Sequence, residues 1–284
     1  MKIISSINEL RREIETIKTR GLSIGFVPTM GALHTGHISL VTNAVSENKF
    51  VVVSVFVNPT QFNNVQDLEK YPRDIERDAK MLESAGCDLI FAPDVCEMYT
   101  DNEINSKFDF DFGGLDTVME GEFRPGHFNG VVQIVSKLFL LVQPTNAYFG
   151  EKDFQQLAII HRMVNVLKMN VEIVDCPIVR EASGLAMSSR NERLTKEQRI
   201  NAAQIRKVLI NSRNFVSEKS PETLKSWVTN QINEVDVLQV EYFDIVDATT
   251  LKSINSWTPN AVGCVAVFCG EVRLIDNIRY KSVE

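Results

Sequence analysis

His34 and His37, three residues apart, lie in the stretch Thr29-Met30-Gly31-Ala32-Leu33-His34-Thr35-Gly36-His37, between a short apolar run and a helical pattern. At a helix start this spacing sets both rings on one side, where two ring N–H groups can meet one anion. Glycines in the stretch would let a phosphate approach the backbone, and helix N-termini offer N–H groups with no intrahelical partner. Gly31 and Gly36 have Walker A glycine spacing, but His37-Ile38 stands where Lys-Ser/Thr is required, and there is no GxGxxG here. A surface loop with two solvated histidines would show the same spacing, so the residues alone leave both readings open.

Four other segments carry polar groups suited to chemistry. Gly150-Glu151-Lys152-Asp153-Phe154-Gln155-Gln156 follows a strand pattern and opens a helix, with Asp153 as a candidate N-cap and Lys152 as a mobile positive charge. Gly184-Leu185-Ala186-Met187-Ser188-Ser189-Arg190-Asn191 places hydroxyls and a guanidinium in one loop, a phosphate clamp or else a flexible linker. Asn58 and Gln61 offer neutral donors and acceptors after an apolar strand, although Asn58-Pro59 is also an ordinary turn starter. Arg124 and His127 could line an anion site or cap the helix that follows. His161 reads as a surface residue of an amphipathic helix. Cys264 and Cys269, an odd number of residues apart on a strand, point to opposite faces and suit no shared metal.

The elements that must position these groups alternate in type. Ile7, Leu10, Ile14 and Ile17 recur at helical spacing behind a possible Ser6–Glu9 capping box. Strand patterns at 23–27, 50–57, 87–92, 146–149 and 171–174 alternate with helical stretches at 36–47, 73–85, 129–142 and 153–168. The run Phe50–Val57 is almost wholly apolar, as a strand covered on both faces requires. This order predicts an α/β, doubly wound, parallel-sheet, Rossmann-like N-terminal domain. Lys107–Phe112 alternates strictly and predicts a half-exposed strand outside that sheet, with Phe108, Phe110 and Phe112 on one face. Beyond Arg180, helices at 195–214 and 221–234 precede directly successive strands at 237–246, 261–269 and 272–276. They predict a smaller α+β C-terminal domain with an antiparallel sheet, and the boundary is placed at 178/179, giving domains 1–178 and 179–284.

Composition narrows the class of protein. The 284 residues include 30 Lys plus Arg against 37 Asp plus Glu, a net charge of −7, with 44% hydrophobic and 24% charged residues. These are ordinary globular proportions, and an acidic chain without a basic cluster argues against nucleic acid as a partner. No apolar run reaches the roughly 18 residues of a membrane helix, and the start of the chain lacks a signal-peptide apolar stretch. Five cysteines without CxxC spacing fit free thiols in a reducing compartment. A soluble, cytoplasmic protein is expected.

Three of the segments, in this order, resemble the nucleotidyltransferase group with an HxGH signature, here His34-Thr35-Gly36-His37, followed later by Met187-Ser188-Ser189-Arg190. A wider string is more specific: 26–34, Val57–Phe62, Tyr71-Pro72-Arg73, Arg124–Phe128, Phe149–Gln156, Leu185–Asn191 and, near the end, Arg273-Leu274-Ile275-Asp276-Asn277. Together they resemble the pantothenate synthetase (pantoate–β-alanine ligase) family. Departures are small, with Thr60 where Met is frequent, Ser183 where Asp is usual and Met119 where Leu is usual.

The resemblance implies a ligase that condenses (R)-pantoate with β-alanine, splitting ATP to AMP and pyrophosphate through an enzyme-bound pantoyl adenylate. It implies catalytic roles for His37, His34, Lys152 and Arg190. ATP would be bound by Met30, Gly31, Ala32, Leu33, His34, Thr35, Gly36, His37, Gly150, Glu151, Lys152, Asp153, Val179, Met187, Ser188, Ser189 and Arg190. Gln61 and Gln156 would bind pantoate, and Gln61 would also serve β-alanine. Mg²⁺ would accompany ATP, held largely by phosphates and water, with Asp78 a candidate to assist and no metal ligand assigned. A homodimer is implied, without nucleic acid or membrane, and the smaller domain would act as a lid that excludes water from the adenylate. Two other readings remain: another HxGH adenylyl- or cytidylyl-transferring enzyme, or a non-catalytic ATP-binding regulator. The glutamine pair argues against the first, and intact His34, His37, Lys152 and Arg190 argue against the second.

Overall fold

The computed structural model describes residues 1–63, 68, 69 and 71–280. The chain divides into two compact units, the first made of Met1–Asp116, Gly121–Glu151 and Gln156–Cys176. Its six-stranded sheet runs in the order β1 (Lys2–Ile4), β4 (Leu89–Phe91), β3 (Phe50–Val55), β2 (Ile24–Thr29), β5 (Asn146–Gly150), β6 (Glu172–Cys176), and every pair is parallel. Helices α1 (Ile7–Thr19), α2 (Thr35–Glu47), α3 (Ile75–Ser84), α4 (His127–Val142) and α5 (Phe154–Val166) alternate with the strands. Val51, Val52 and Val53 are at most 1% exposed, so β3 is covered on both faces, as its unrelieved apolarity requires.

The strand order fixes where a ligand belongs. From β2 the chain proceeds through β3 and β4 toward one edge, and from β5 to β6 toward the other, although β2 and β5 are neighbours. Such a reversal is the topological switch of an open parallel sheet, and ligands bind beyond the carboxyl ends of the strands there. Residues 30–37 leave β2, and the turn Glu151–Asp153 leaves β5.

Two local expectations fail for the same reason, a side chain from far along the sequence taking over a local role. The stripe of Leu10, Ile14 and Ile17 is buried as predicted, but Ser6 makes no side-chain cap bond. The Ile7 N–H donates to Glu97 Oε1 at 2.6 Å, so a remote carboxylate caps α1. Residues 107–112 form no strand. The Phe108 N–H donates to Asn129 Oδ1 at 2.9 Å and Asn129 Nδ2 donates to the Phe108 carbonyl at 2.6 Å, the pair of bonds that a neighbouring strand would otherwise make. The expected aromatic packing is present between Phe110 and Phe112, whose centroids lie 4.8 Å apart. Strand β1 and the short helical turns Val95–Met98, Asp101–Asn105 and Glu120–Phe123 lack the length for a periodic signal.

The second unit comprises Thr117–Glu120, Lys152–Gln155 and Pro177–Glu284. Helices α6 (Lys196–Ser212) and α7 (Pro221–Asn233) pack with an antiparallel sheet, β7 (Leu238–Asp247), β8 (Ala261–Cys269) and β9 (Val272–Arg279), in that spatial order. Ile205, Leu209, Leu224 and Val228 meet Phe243, Val265 and Leu274 in its core. A β-bulge between Val240 and Tyr242 interrupts the β7–β8 register. Bulges re-aim side chains, and the neighbours Glu241 and Tyr242 both reach one ionic cluster: Glu241 bonds Arg273, and Tyr242 donates to Glu120 at 2.8 Å.

Candidate active site

The loop after β2 is held from beneath. Gly31 and Ala32 have φ of +76° and +50°, a region natural for glycine and uncommon for alanine. Asp78, on α3 and 1% exposed, stabilises it: Oδ2 accepts from the Ala32 N–H and Oδ1 from the Leu33 N–H, both at 2.9 Å. A Cβ on Gly31 would stand 3.0 Å from Asp78 Oδ2, so the carboxylate and the glycine require each other. Burial pushes the Asp78 carboxyl above the usual range, and the two N–H bonds oppose that shift without cancelling it. Both oxygens therefore serve the loop. Among the described residues no group of three or more His, Cys, Asp or Glu could hold a metal ion.

His34 caps α2 with its ring. Nδ1 accepts from the Gly36 N–H at 3.1 Å, and the His34 N–H donates to His37 Nδ1 at 3.3 Å. The two rings lie 4.0 Å apart, centroid to centroid, with planes inclined by 32°. A ring nitrogen that accepts bears no proton, so each neutral imidazole carries its hydrogen on Nε2. Six main-chain donors of the loop are themselves engaged. Gly31 donates to Thr29 Oγ1 at 3.1 Å and His37 to the His34 carbonyl at 2.9 Å, beside the bonds of Ala32, Leu33, His34 and Gly36. The pair of imidazoles thus stands at the positive end of α2.

Gln61 is built just as firmly. It ends the 3-10 turn Pro59–Gln61, 8% exposed, with Nε2 against Met30 Sδ and Oε1 accepting from Asn58 Nδ2 at 3.2 Å. Asn58 also donates to the Gly130 carbonyl at 3.1 Å and accepts from Tyr99 Oη at 2.8 Å. A Cβ at Gly130 would fall 2.4 Å from the Thr60 carbonyl oxygen, so α4 approaches this turn only because that residue is glycine. Burial pushes the Tyr99 hydroxyl up to about 12, which keeps it protonated and donating. Arg124 Nη1 lies 3.1 Å from His127 Nε2, and a guanidinium can only donate, so His127 Nδ1–H donates to the Gln61 carbonyl at 2.8 Å. Arg124 and His127, expected at an anion site or a helix cap, make a relay to the Gln61 main chain. Gln156 is half-buried on α5, and Gly150 closes β5 ahead of Glu151.

The second unit holds the remaining candidates. Lys152 lies in the 3-10 turn Glu151–Asp153, its Nζ 3.2 Å from Asp153 Oδ2. Residues 179–187 form a tight hairpin rather than a flexible linker. Val179 O accepts from the Met187 N–H at 3.0 Å, Glu181 N–H donates to Leu185 O at 2.9 Å, and Gly184 turns the chain with φ of +91°. Ser188 Oγ then accepts from the Arg190 N–H at 3.3 Å and starts the 3-10 turn Ser189–Arg193. Asn191, 2% exposed, ties that turn to the hairpin through the Ala186 carbonyl at 3.0 Å and Glu181 Oε1 at 2.8 Å.

The sequence reading of these loops missed Asp78 as a loop anchor, Asn191 as a tie and His127 as a support; all three are polar residues whose burial only the fold reveals. Elsewhere the bland readings hold. His161 is half-exposed and pairs with Asp175 at 2.7 Å, and the five thiols are free, four of them buried.

A parallel sheet whose switch-point strands lead into paired N-capping imidazoles and a lysine-bearing turn has the architecture of an HxGH nucleotide-handling protein. Comparison narrows this further. The sequence profile described as Pantoate-beta-alanine ligase matches residues 2–279, and the chain belongs to that family. A Bacteroides fragilis protein named pantothenate synthetase is 56% identical over 99% of this chain and 100% of its own length. The crystal structure of pantothenate synthetase from Thermus thermophilus superposes with a TM-score of 0.90 at 44% identity, covering 99% of this chain and 100% of that one. A Francisella tularensis pantoate-beta-alanine ligase, crystallised with beta-gamma ATP and beta-alanine, matches at 0.84 and 35% identity, covering 98% and 97%.

Proposed function

We infer that this chain condenses (R)-pantoate with β-alanine, converting ATP to AMP and pyrophosphate. Family membership over residues 2–279, together with the paired imidazoles at the sheet's switch point, carries the reading. In the first step a pantoate carboxylate oxygen attacks the α-phosphorus and pyrophosphate departs. In the second the β-alanine amine attacks the acyl carbon, AMP leaves with the bonding electrons and the amine surrenders a proton. Adenylation supplies the leaving group that a carboxylate lacks, so no covalent protein nucleophile is needed.

The protein's contribution is then positioning and charge stabilisation. His34 and His37 donate Nε2–H to phosphate oxygens. Lys152, Ser188, Ser189 and Arg190 complete the phosphate contacts, while Gly150 and Asp153 hold the ribose. Met30 through Thr35, Gly36, Glu151, the Val179 main chain and Met187 border the nucleotide. Gln61 and Gln156 bind pantoate, and Gln61 also lies by the β-alanine. Mg²⁺ enters with ATP as part of the substrate, held by phosphate oxygens and water. The smaller C-terminal domain, 179–284, serves as a lid, the protein acts as a cytoplasmic homodimer, and nucleic acid is no partner of this acidic chain. No helix among the described residues is long and apolar enough to cross a membrane.

Pyrophosphate–ATP exchange before β-alanine is added tests the reading. Exchange that requires pantoate, followed by AMP and pantothenate once the amine is present, supports both half-reactions. ATP binding without exchange would replace the ligase by a regulator or by an enzyme for another acid.

A further inference from the structure

The segment Arg273-Leu274-Ile275-Asp276-Asn277 of β9 stands far along the chain from every residue given a part in the chemistry. Strand alternation places Arg273 and Asn277 on one face and Asp276 on the other. Each grips a different piece of the second unit. Asn277 Nδ2 donates to the Lys152 carbonyl at 3.2 Å. Asp276 takes the Arg180 guanidinium with both oxygens, at 2.7 and 2.8 Å, and the same Arg180 Nη1 donates to the Gly184 carbonyl at 3.1 Å. Arg273 forks onto Glu120 at 2.9 and 2.6 Å, and the Glu120 N–H donates to Gln155 Oε1 at 2.9 Å.

The holds are directional and sheltered. Asp276 and Asn277 are 5% and 7% exposed, and Asp276 Oδ1 also accepts from the Asn277 N–H at 2.7 Å. Bidentate Arg–carboxylate geometry fixes an angle as well as a distance, and buried polar networks with every member engaged are rigid. One strand thereby sets the main chain from which the Lys152 side chain departs and the turn of the hairpin leading into Ser188–Arg190.

We propose that Asn277 is a positioning residue for the triphosphate, acting through the main chain of Lys152. The proposal rests on the reading that Lys152, Ser188, Ser189 and Arg190 handle ATP phosphates. It differs from a purely architectural role because the strand grips the backbone of the phosphate-handling segments themselves.

Asn277→Ala and Asn277→Asp test it in the full-length protein, since neither removes the Arg180–Asp276 pair. A non-hydrolysable ATP analogue is titrated calorimetrically, and adenylation is followed by pantoate-dependent exchange. Both variants are expected to lose roughly 10- to 100-fold in kcat/KM for ATP, with pantoate KM within about twofold, as a displaced charge does when the fold is intact. Acting through Lys152 predicts non-additivity: in a Lys152→Ala background, Asn277→Ala should change analogue affinity by less than about twofold. Full additivity, or an unaltered ATP dependence in both variants, overturns the proposal. Wild-type protein that binds the analogue without pantoate-dependent exchange sinks the ligase reading alone, and the calorimetric cycle still decides the positioning role. Wild-type protein that binds no analogue sinks both.

Discussion

Asp78 holds Leu33 and its neighbour by main-chain donors, one carboxylate oxygen to each N–H at 2.9 Å, with the imidazole of His34 next in the chain. An amide in its place can accept from only one of those donors and turns an NH₂ toward the other. Asp78→Asn is therefore expected to lower turnover by about 10- to 100-fold, the scale of a small displacement of reacting groups. Unchanged turnover would remove Asp78 from any part in placing His34. Stability should move with its own sign. Burial raises the folded carboxyl above its ordinary 3.8, so the native state holds this proton to higher pH than the unfolded chain. The Asp78 contribution to stability is then greatest in acid and falls as pH rises from about 3.8 through the folded value. The melting-temperature difference, Asn variant minus wild type, should increase with pH over that window and then level. A difference flat with pH would contradict a raised carboxyl.

The two capping imidazoles make a spectroscopic prediction. With Nδ1 of both His34 and His37 accepting from main-chain N–H groups, two-bond ¹⁵N–¹H correlation at neutral pH should show the Nε2–H tautomer for both rings. A Nδ1–H tautomer at either one would mean that its cap is not formed. His37→Ala is expected to cost on the order of 10²–10³ in turnover, by analogy with the loss of one oxyanion donor. Turnover equal to wild type would exclude His37 from the reaction.

The parallel sheet was legible because its signal is redundant: Val51, Val52 and Val53 are apolar in succession, and helical patterns separate the strands. His34, His37, Lys152 and Ser188 to Arg190 were legible through their spacing and family resemblance. What supports them was not. Asp78 stood out only as a candidate to assist a metal and Asn277 only as the end of a family string, and their grips on loop backbone many residues away exist only in the fold. The failed strand at 107–112 shows the converse. Its alternation reports real half-burial, but one asparagine side chain replaces the ladder that would have made it a strand.

The two readings of His127 separate by kinetics. If its Nδ1–H positions the Gln61 carbonyl, His127→Ala and Gln61→Ala should both raise the pantoate KM, the second by more, while leaving the ATP KM within about twofold. An anion-binding His127 would instead shift the ATP dependence. Steady-state kinetics with each substrate varied in turn makes the distinction.

Asn129 is the last case, and it concerns stability alone. Its amide donates to and accepts from the Phe108 backbone, so Asn129→Ala leaves one partly buried N–H and one carbonyl without their partner. Each such group costs about 1–3 kcal/mol if water cannot reach it, and less where it can. Phe108 is only half-buried, which places the expected loss near the lower end, about 1–2 kcal/mol in all. Urea unfolding should show a lower midpoint with an unaltered slope, because the native fold is kept and only its stability changes. A midpoint equal to wild type would mean that solvent replaces both bonds without cost, and residues 107–112 would then be held by their aromatic contacts alone.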